Sequence, residues 1–156
     1  MPIADLQILA DIPRHWGALR PGKAATVFED RVVSWKDFDR YASQVANGII
    51  EAGVPPQTRV AYLGKNSDLY FQLLFGAAKS NTVMVGINWR LAPPEVEYIV
   101  NDARIEVLFV EEEFFGLIGE IKERLTTVKL FVAMSGRGHG WEDYVSWRDG
   151  QSNSDP

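Results

Sequence analysis

The chain has 156 residues, 46% of them hydrophobic and 24% charged, a balance that excludes disordered and fibrous classes and suits one globular domain. It contains no cysteine, so disulfides, thiolate nucleophiles and zinc-thiolate clusters fall away, and a reducing compartment, the cytoplasm, is expected. A net charge of -5 with scattered arginines argues against nucleic acid as a partner, and the most apolar stretch, Leu69 to Ala78, carries Gln72 and is too short to cross a membrane.

In chain order, Thr26-Val27-Phe28 and Val32-Val33-Ser34 flank Glu29-Asp30-Arg31, which predicts a small hairpin. Ser34 and Asp37 then resemble a weak capping box that opens a long helix. Its stripe of Phe38, Tyr41, Ala42, Val45, Ile49 and Ala52 follows three-and-four spacing, and Gly53 ends it before Pro55-Pro56. That stripe reads as core-facing.

From Arg59 onward short apolar runs alternate with helical ones, the rhythm of βαβ units. Val60 to Leu63, Thr82 to Ile87, Val107 to Val110 and Lys129 to Ala133 read as strands covered on both faces. Ser67 caps a helix over Asp68 to Lys79, and Pro93-Pro94 introduces one over Glu95 to Asn101. A third helix is expected from Phe114 to Leu125, and Trp141 to Trp147 has helical character. The expected fold class is α/β: a mostly parallel sheet with helices on both faces, preceded by the hairpin. Residues 1–149 read as this unit, and 150–156, which hold nothing apolar, as a polar linker or tail.

Nucleophile searches fail. No Gly-x-Ser-x-Gly elbow occurs, and His15 and His139 are far apart and read as surface histidines. Neither has a neighbour at metal-ligand spacing. The glycines of Gly136-Arg137-Gly138-His139-Gly140 imitate a phosphate loop, but Trp141 stands where the third glycine of a dinucleotide fingerprint belongs, so a surface loop is expected. Lys79-Ser80 imitates the end of a Walker loop, with Ala78 in place of its glycine. Glu111-Glu112-Glu113 reads as a solvated edge.

Two segments carry more information. Val33-Ser34-Trp35-Lys36-Asp37-Phe38, between hairpin and long helix, resembles the first core motif of the adenylate-forming superfamily, normally aliphatic-Ser/Thr-Tyr-x-Glu-Leu. The second motif of that superfamily resembles Gly76 through Asn88, and the continuation Trp89-Arg90-Leu91-Ala92-Pro93-Pro94-Glu95-Val96 is similar to the Asn-x-Arg-Leu-x-x-x-Glu-Leu stretch of AMP-forming acyl-CoA ligases. The resemblance spans most of residues 12–110 and marks the chain as the first subdomain of an N-terminal (AMP-binding) domain. Asn81 stands in place of a usual glycine after the helix, where asparagine best tolerates the left-handed conformation. Gly86 stands in place of a usual proline, which frees a backbone donor and loosens the strand end.

What the resemblance implies is a parent enzyme that uses ATP and Mg²⁺ to join a carboxylic acid, expected to be fatty, to AMP, and then passes the acyl group to coenzyme A. The loop rich in Thr, Ser and Gly, the acidic metal ligand and the late lysine of that family have no counterpart in these residues, so no catalytic, cofactor-binding or metal-ligating residue is nominated. Tight binding of the cofactors to this chain is not expected. Asn88 and Arg90 are the only substrate-binding candidates, polar residues at the carboxyl end of a strand, though a structural role, with Arg90 pairing an acid such as Glu95 or capping carbonyls, is the expectation. Self-association through an exposed sheet edge is also expected. The alternative reading is a stand-alone flavodoxin-like module that binds a small ligand or partner without catalysis. An adenylating domain of peptide synthetases or a luciferase-like enzyme would share both motifs.

Overall fold

A computed structural model of the chain describes residues 6–136 and 140–156. Its elements are α1 (Asp11–Leu19), β1 (Ala24–Phe28), β2 (Arg31–Ser34), α2 (Trp35–Glu51), β3 (Arg59–Leu63), α3 (Asp68–Lys79), β4 (Val83–Ile87), α4 (Pro93–Asp102), β5 (Ile105–Val110), α5 (Phe115–Ile121), β6 (Leu130–Ala133), β7 (Glu142–Asp143) and α6 (Tyr144–Asp149). β1 and β2 pair antiparallel as the expected hairpin, and its two-residue turn places Glu29 at a positive φ of 50°.

The other five strands form a parallel sheet in the order β4-β3-β5-β6-β7, the winding of flavodoxin-like folds. β3 is the first strand laid down and lies inside the sheet. The chain passes first to β4 on one side and then to β5 on the other, so the winding reverses between β3 and β5. Both faces are covered. Val96, Val100, Phe115, Ile118 and Ile121 of α4 and α5 pack on one face with Ala61, Leu63 and Leu108. On the other, Val45, Ile49, Leu73, Ala77 and Tyr144 of α2, α3 and α6 pack with Val60, Tyr62, Val107 and Phe109. Alternate strand residues thus serve opposite cores, which explains why these strands read as unbroken apolar runs.

Caps fix the helix starts. Ser34 Oγ accepts from Asp37 N at 3.1 Å, and Ser67 Oγ from Tyr70 N at 3.4 Å. Gly53 ends α2 at φ 70°, and Asn81 follows α3 at φ 56°, the left-handed conformation expected of it. Gly76 has a packing reason: a Cβ there would lie 2.3 Å from Val45 Cγ1, so its bare backbone lets α2 and α3 cross closely. At Gly86 a Cβ would meet only Tyr70 Oη at 3.9 Å, so no crowding requires glycine, and β4 is an edge strand, where a proline could also stand.

Two expectations are corrected. The third helix is not continuous: α5 covers only Phe115–Ile121, with single 3-10 turns at Glu112–Phe114 and Lys122–Arg124, since Gly116 and Gly119 weaken a helix that tertiary packing alone sustains. The helical reading of Trp141 to Trp147 gives way to β7 followed by α6, where Asp143 Oδ1 caps Ser146 N at 2.9 Å. Residues 150–156, which by composition resemble a loose tail, are tied down. Gln44 and Asn47 donate to the carbonyls of Gln151, Ser152 and Ser154, and Asp155 forms ion pairs with Arg14 and Lys79. α1 was not anticipated at all. The loop at Arg137, Gly138 and His139 lies outside the described residues. No helix among the described residues is long and apolar enough to cross a membrane.

Candidate functional site

Open α/β sheets bind ligands beyond the carboxyl ends of their strands, where the winding reverses. Here that place lies between β3 and β5, and the protein's own side chains fill it. The Tyr62 hydroxyl, one residue before the end of β3, sits 2.6 Å from the Lys65 carbonyl and against Glu111 Oε1, just past β5. It carries one proton and donates to one acceptor at a time. Glu111 Oε2 accepts from Lys65 N at 3.4 Å. Burial, reinforced by the hydrogen bond to Glu111, pushes the Tyr62 phenol above its usual range, so it remains neutral. Gly64 is required by this closure, because a Cβ would lie 2.5 Å from the Tyr62 ring and 2.7 Å from Glu111 Cγ. Glu111 is therefore half-buried in a network, not part of a solvated edge.

Asn88 and Arg90 follow β4, on the far side of β3 from the reversal point. A shallow notch lined by Tyr62, Gly64, Asn66, Tyr70, Asn88 and Trp89 opens there. Asn88 Oδ1 accepts from Arg90 N at 3.1 Å, and so shapes the turn into α4. The Arg90 guanidinium lies over the Trp89 ring at 4.4 Å. Its expected partner Glu95 is engaged elsewhere: Glu95 Oε2 accepts from Ala92 N at 2.8 Å and closes the first turn of α4. In the Asn88 to Glu95 string, these two polar side chains bond to local backbone.

A nucleotide phosphate needs converging backbone donors or free cations. The reversal point offers a carboxylate and a neutral phenol. The cations beside it are engaged, Lys65 Nζ with Glu113 at 2.7 Å and 5.2 Å from the Trp89 ring centre, and Arg90 on that same ring. Among the described residues no group of three or more His, Asp or Glu could hold a metal ion. The described residues at the reversal point thus do not fit ATP with Mg²⁺, and no chemical step is derived through them.

The remaining candidates have structural uses. Lys79 and Ser80, the Walker-like pair, lie at the opposite end of the sheet. Lys79 is buried against Asp39 and Asp155, and Ser80 Oγ donates to the Ala77 carbonyl at 3.1 Å. His15 packs edge-on to Trp16 at 4.9 Å. His139 lies outside the described residues. Arg31, missed by motif reading, reaches from β2 to Asp68 at the start of α3, with Nη2 2.7 Å from Oδ1, and ties the hairpin to the sheet. Asp68 as an acid in the first turn of a capped helix was the available signal.

Residues 13–154 match the family described as AMP-binding enzyme. The chain is 34% identical over 154 residues to a fatty acid--[acyl-carrier-protein] ligase of Streptomyces coeruleorubidus, covering 97% of this chain and 28% of that protein. It is 36% identical over 133 residues to an indoleacetate--CoA ligase of Aromatoleum aromaticum, covering 85% of this chain and 26% of that one. Among solved structures it superposes on an anthranilate CoA ligase in complex with anthranoyl-AMP with a TM-score of 0.89 and 31% identity, over 94% of this chain and 29% of that one. The chain spans about a quarter of the length of the curated relatives it matches.

Proposed function

The chain belongs to the AMP-binding enzyme family, and from that premise we propose that it is the opening portion of an AMP-forming acid–CoA ligase, in which it serves as scaffold and supplies no catalytic group. The parent reaction would join a hydrophobic carboxylic acid, in the first instance a fatty acid, to AMP from ATP with release of pyrophosphate, Mg²⁺ assisting, and then transfer the acyl group to the coenzyme A thiol. The relatives' names, which include fatty acid and indoleacetate ligases, support a hydrophobic acid. The scaffold role rests on one observation above all: the reversal point between β3 and β5 is closed by Tyr62 and Glu111. This also favours a ligase scaffold over a stand-alone flavodoxin-like binding module, whose ligand would have to enter there. The test is the parent gene beyond the codon for Pro156. A reading frame that encodes a loop rich in Thr, Ser and Gly with a terminal Lys-Gly, and an extended polypeptide that forms AMP only when an acid is present, agree with the proposal. A stop codon, with a small ligand bound by the intact chain, would replace it with the binding-module reading.

Self-association is part of the same proposal and is located at β4. Val83–Ile87 is an edge strand without charge or proline, paired on one side only, whereas the opposite edge β7 carries Glu142 and Asp143. Light scattering of the concentrated chain should give a mass above the monomer, and Val83→Lys should lower it. A strictly monomeric mass removes this part.

A further inference from the structure

Neither motif nor fold class calls for the arrangement that holds residues 150–156. Lys79 closes α3 with a fully buried side chain, its ammonium 2.7 Å from Asp39 Oδ1, 2.9 Å from Ser43 Oγ and 2.6 Å from Asp155 Oδ1. The other Asp155 oxygen accepts from Arg14 Nε of α1 at 2.6 Å, and Arg14 Nη1 lies 3.4 Å from Asp11 on its own helix. Before it, Asn47 Nδ2 donates to the carbonyls of Ser152 and Ser154, each at 2.8 Å, and Gln44 Nε2 donates to that of Gln151 at 3.4 Å. α2 thus presents a row of donors to the backbone of the tail, and two cations from two other helices converge on its last carboxylate.

A buried ammonium is tolerated only where opposite charge and hydrogen bonds replace its water. Asp39 supplies one such partner for Lys79. The guanidinium of Arg14 stands across the gap, so without Asp155 two cations would face each other, Lys79 keeping only Asp39 and Arg14 only the longer contact to Asp11. We propose that Arg14 and Lys79 form a carboxylate-binding cleft that the chain fills with its own Asp155, which makes residues 150–156 a strap fastening α1 to the α2–α3 layer. The site recognises the carboxylate group, and a small free carboxylate can replace the tail's.

Hydrogen exchange of the full chain tests this. Asp155→Ala should raise exchange of the α1 amides at least about tenfold, the loss expected of a charge-assisted contact, while α4 and β5 keep their protection. Sodium acetate, compared with sodium chloride at equal ionic strength, should restore the α1 protection in Asp155→Ala and leave the unsubstituted chain unchanged. Asp155→Asn, which keeps shape and loses charge, guards against failure of the alanine variant to fold and should open α1 in the same way. Unchanged α1 exchange in both variants overturns the strap. Loss spread evenly over α1, α4 and β5 overturns it as a local device, and loss that acetate does not restore overturns the carboxylate site.

Discussion

Gly76→Ala puts helix propensity and packing in direct opposition. Gly76 lies inside α3, where alanine should gain about 1 kcal/mol from propensity alone. The added methyl would stand 2.3 Å from Val45 Cγ1, 2.6 Å from Val45 Cβ and 3.2 Å from the Ala42 carbonyl. Carbon atoms prefer about 3.5–4.0 Å, and Val45 Cβ is fixed by the α2 backbone, so no rotamer change relieves the contact and the helices must part by about 1 Å. Such overpacking costs about 1–3 kcal/mol, which against that gain leaves a net destabilisation of up to about 2 kcal/mol. For a domain of this length that lowers the melting temperature by up to about 8 °C. The assay is urea and thermal unfolding followed by tryptophan fluorescence, with Gly116→Ala as control: that site is exposed on α5 with nothing within 4 Å of a new Cβ, and should gain stability or stay level. A Gly76→Ala protein more stable than the parent would refute the reasoning, because propensity would then outweigh the contact with Val45.

Other outcomes follow from buried polar groups. Tyr144 Oη and Arg148 Nη1 both donate to Gln72 Oε1, at 2.8 and 3.0 Å, so Tyr144→Phe leaves that oxygen satisfied and should cost only about 0.5–1.5 kcal/mol in urea unfolding. Gln72→Leu strips the acceptor from both donors and should cost more than Tyr144→Phe in the same experiment; the reverse order would mean the network is not what holds α6. Burial raises the Asp155 carboxyl, but Lys79 and Arg14 outweigh it and hold it below the usual range. A folded-state value lower than the unfolded one contributes stability that is present above the ordinary carboxylate range, about pH 3.9, and is lost as pH falls through the folded value. The stability gap between the parent chain and Asp155→Asn, measured by urea unfolding across pH, should therefore be full near neutrality and shrink under acid; a gap independent of pH removes the ion pair as its cause.

What the sequence revealed and what it concealed have physical reasons. β3, β5 and β6 were legible because a strand covered on both faces is apolar throughout, β4 because its run is apolar although Val83 and Gly86 are exposed at the edge, and α3 because Ser67 and Asn81 mark its two ends. α2 was legible on one face only. Ser43, Gln44 and Asn47 look like a solvent face, yet Ser43 and Gln44 are buried, and these residues bond Lys79 and the strap, partners brought from 36 to 107 positions away that no local pattern announces. α1 lacks a side-chain N-cap, and its Ile12, Trp16 and Leu19 spacing was the weak signal available. At the candidate site, the polar string Asn88 to Glu95 identified the family but proved to bond its own turn. The closure at Tyr62 and Glu111 needed the pairing of β3 with β5 to become visible.

The scaffold reading is tested most directly by ATP–pyrophosphate exchange with the purified chain and Mg²⁺, run against fatty, arylacetic and benzoic acids. The prediction is no exchange above the acid-free background with any of them, while the chain remains folded by circular dichroism. Acid-dependent exchange by these 156 residues alone would contradict it, because a complete adenylation site would then have to exist within them.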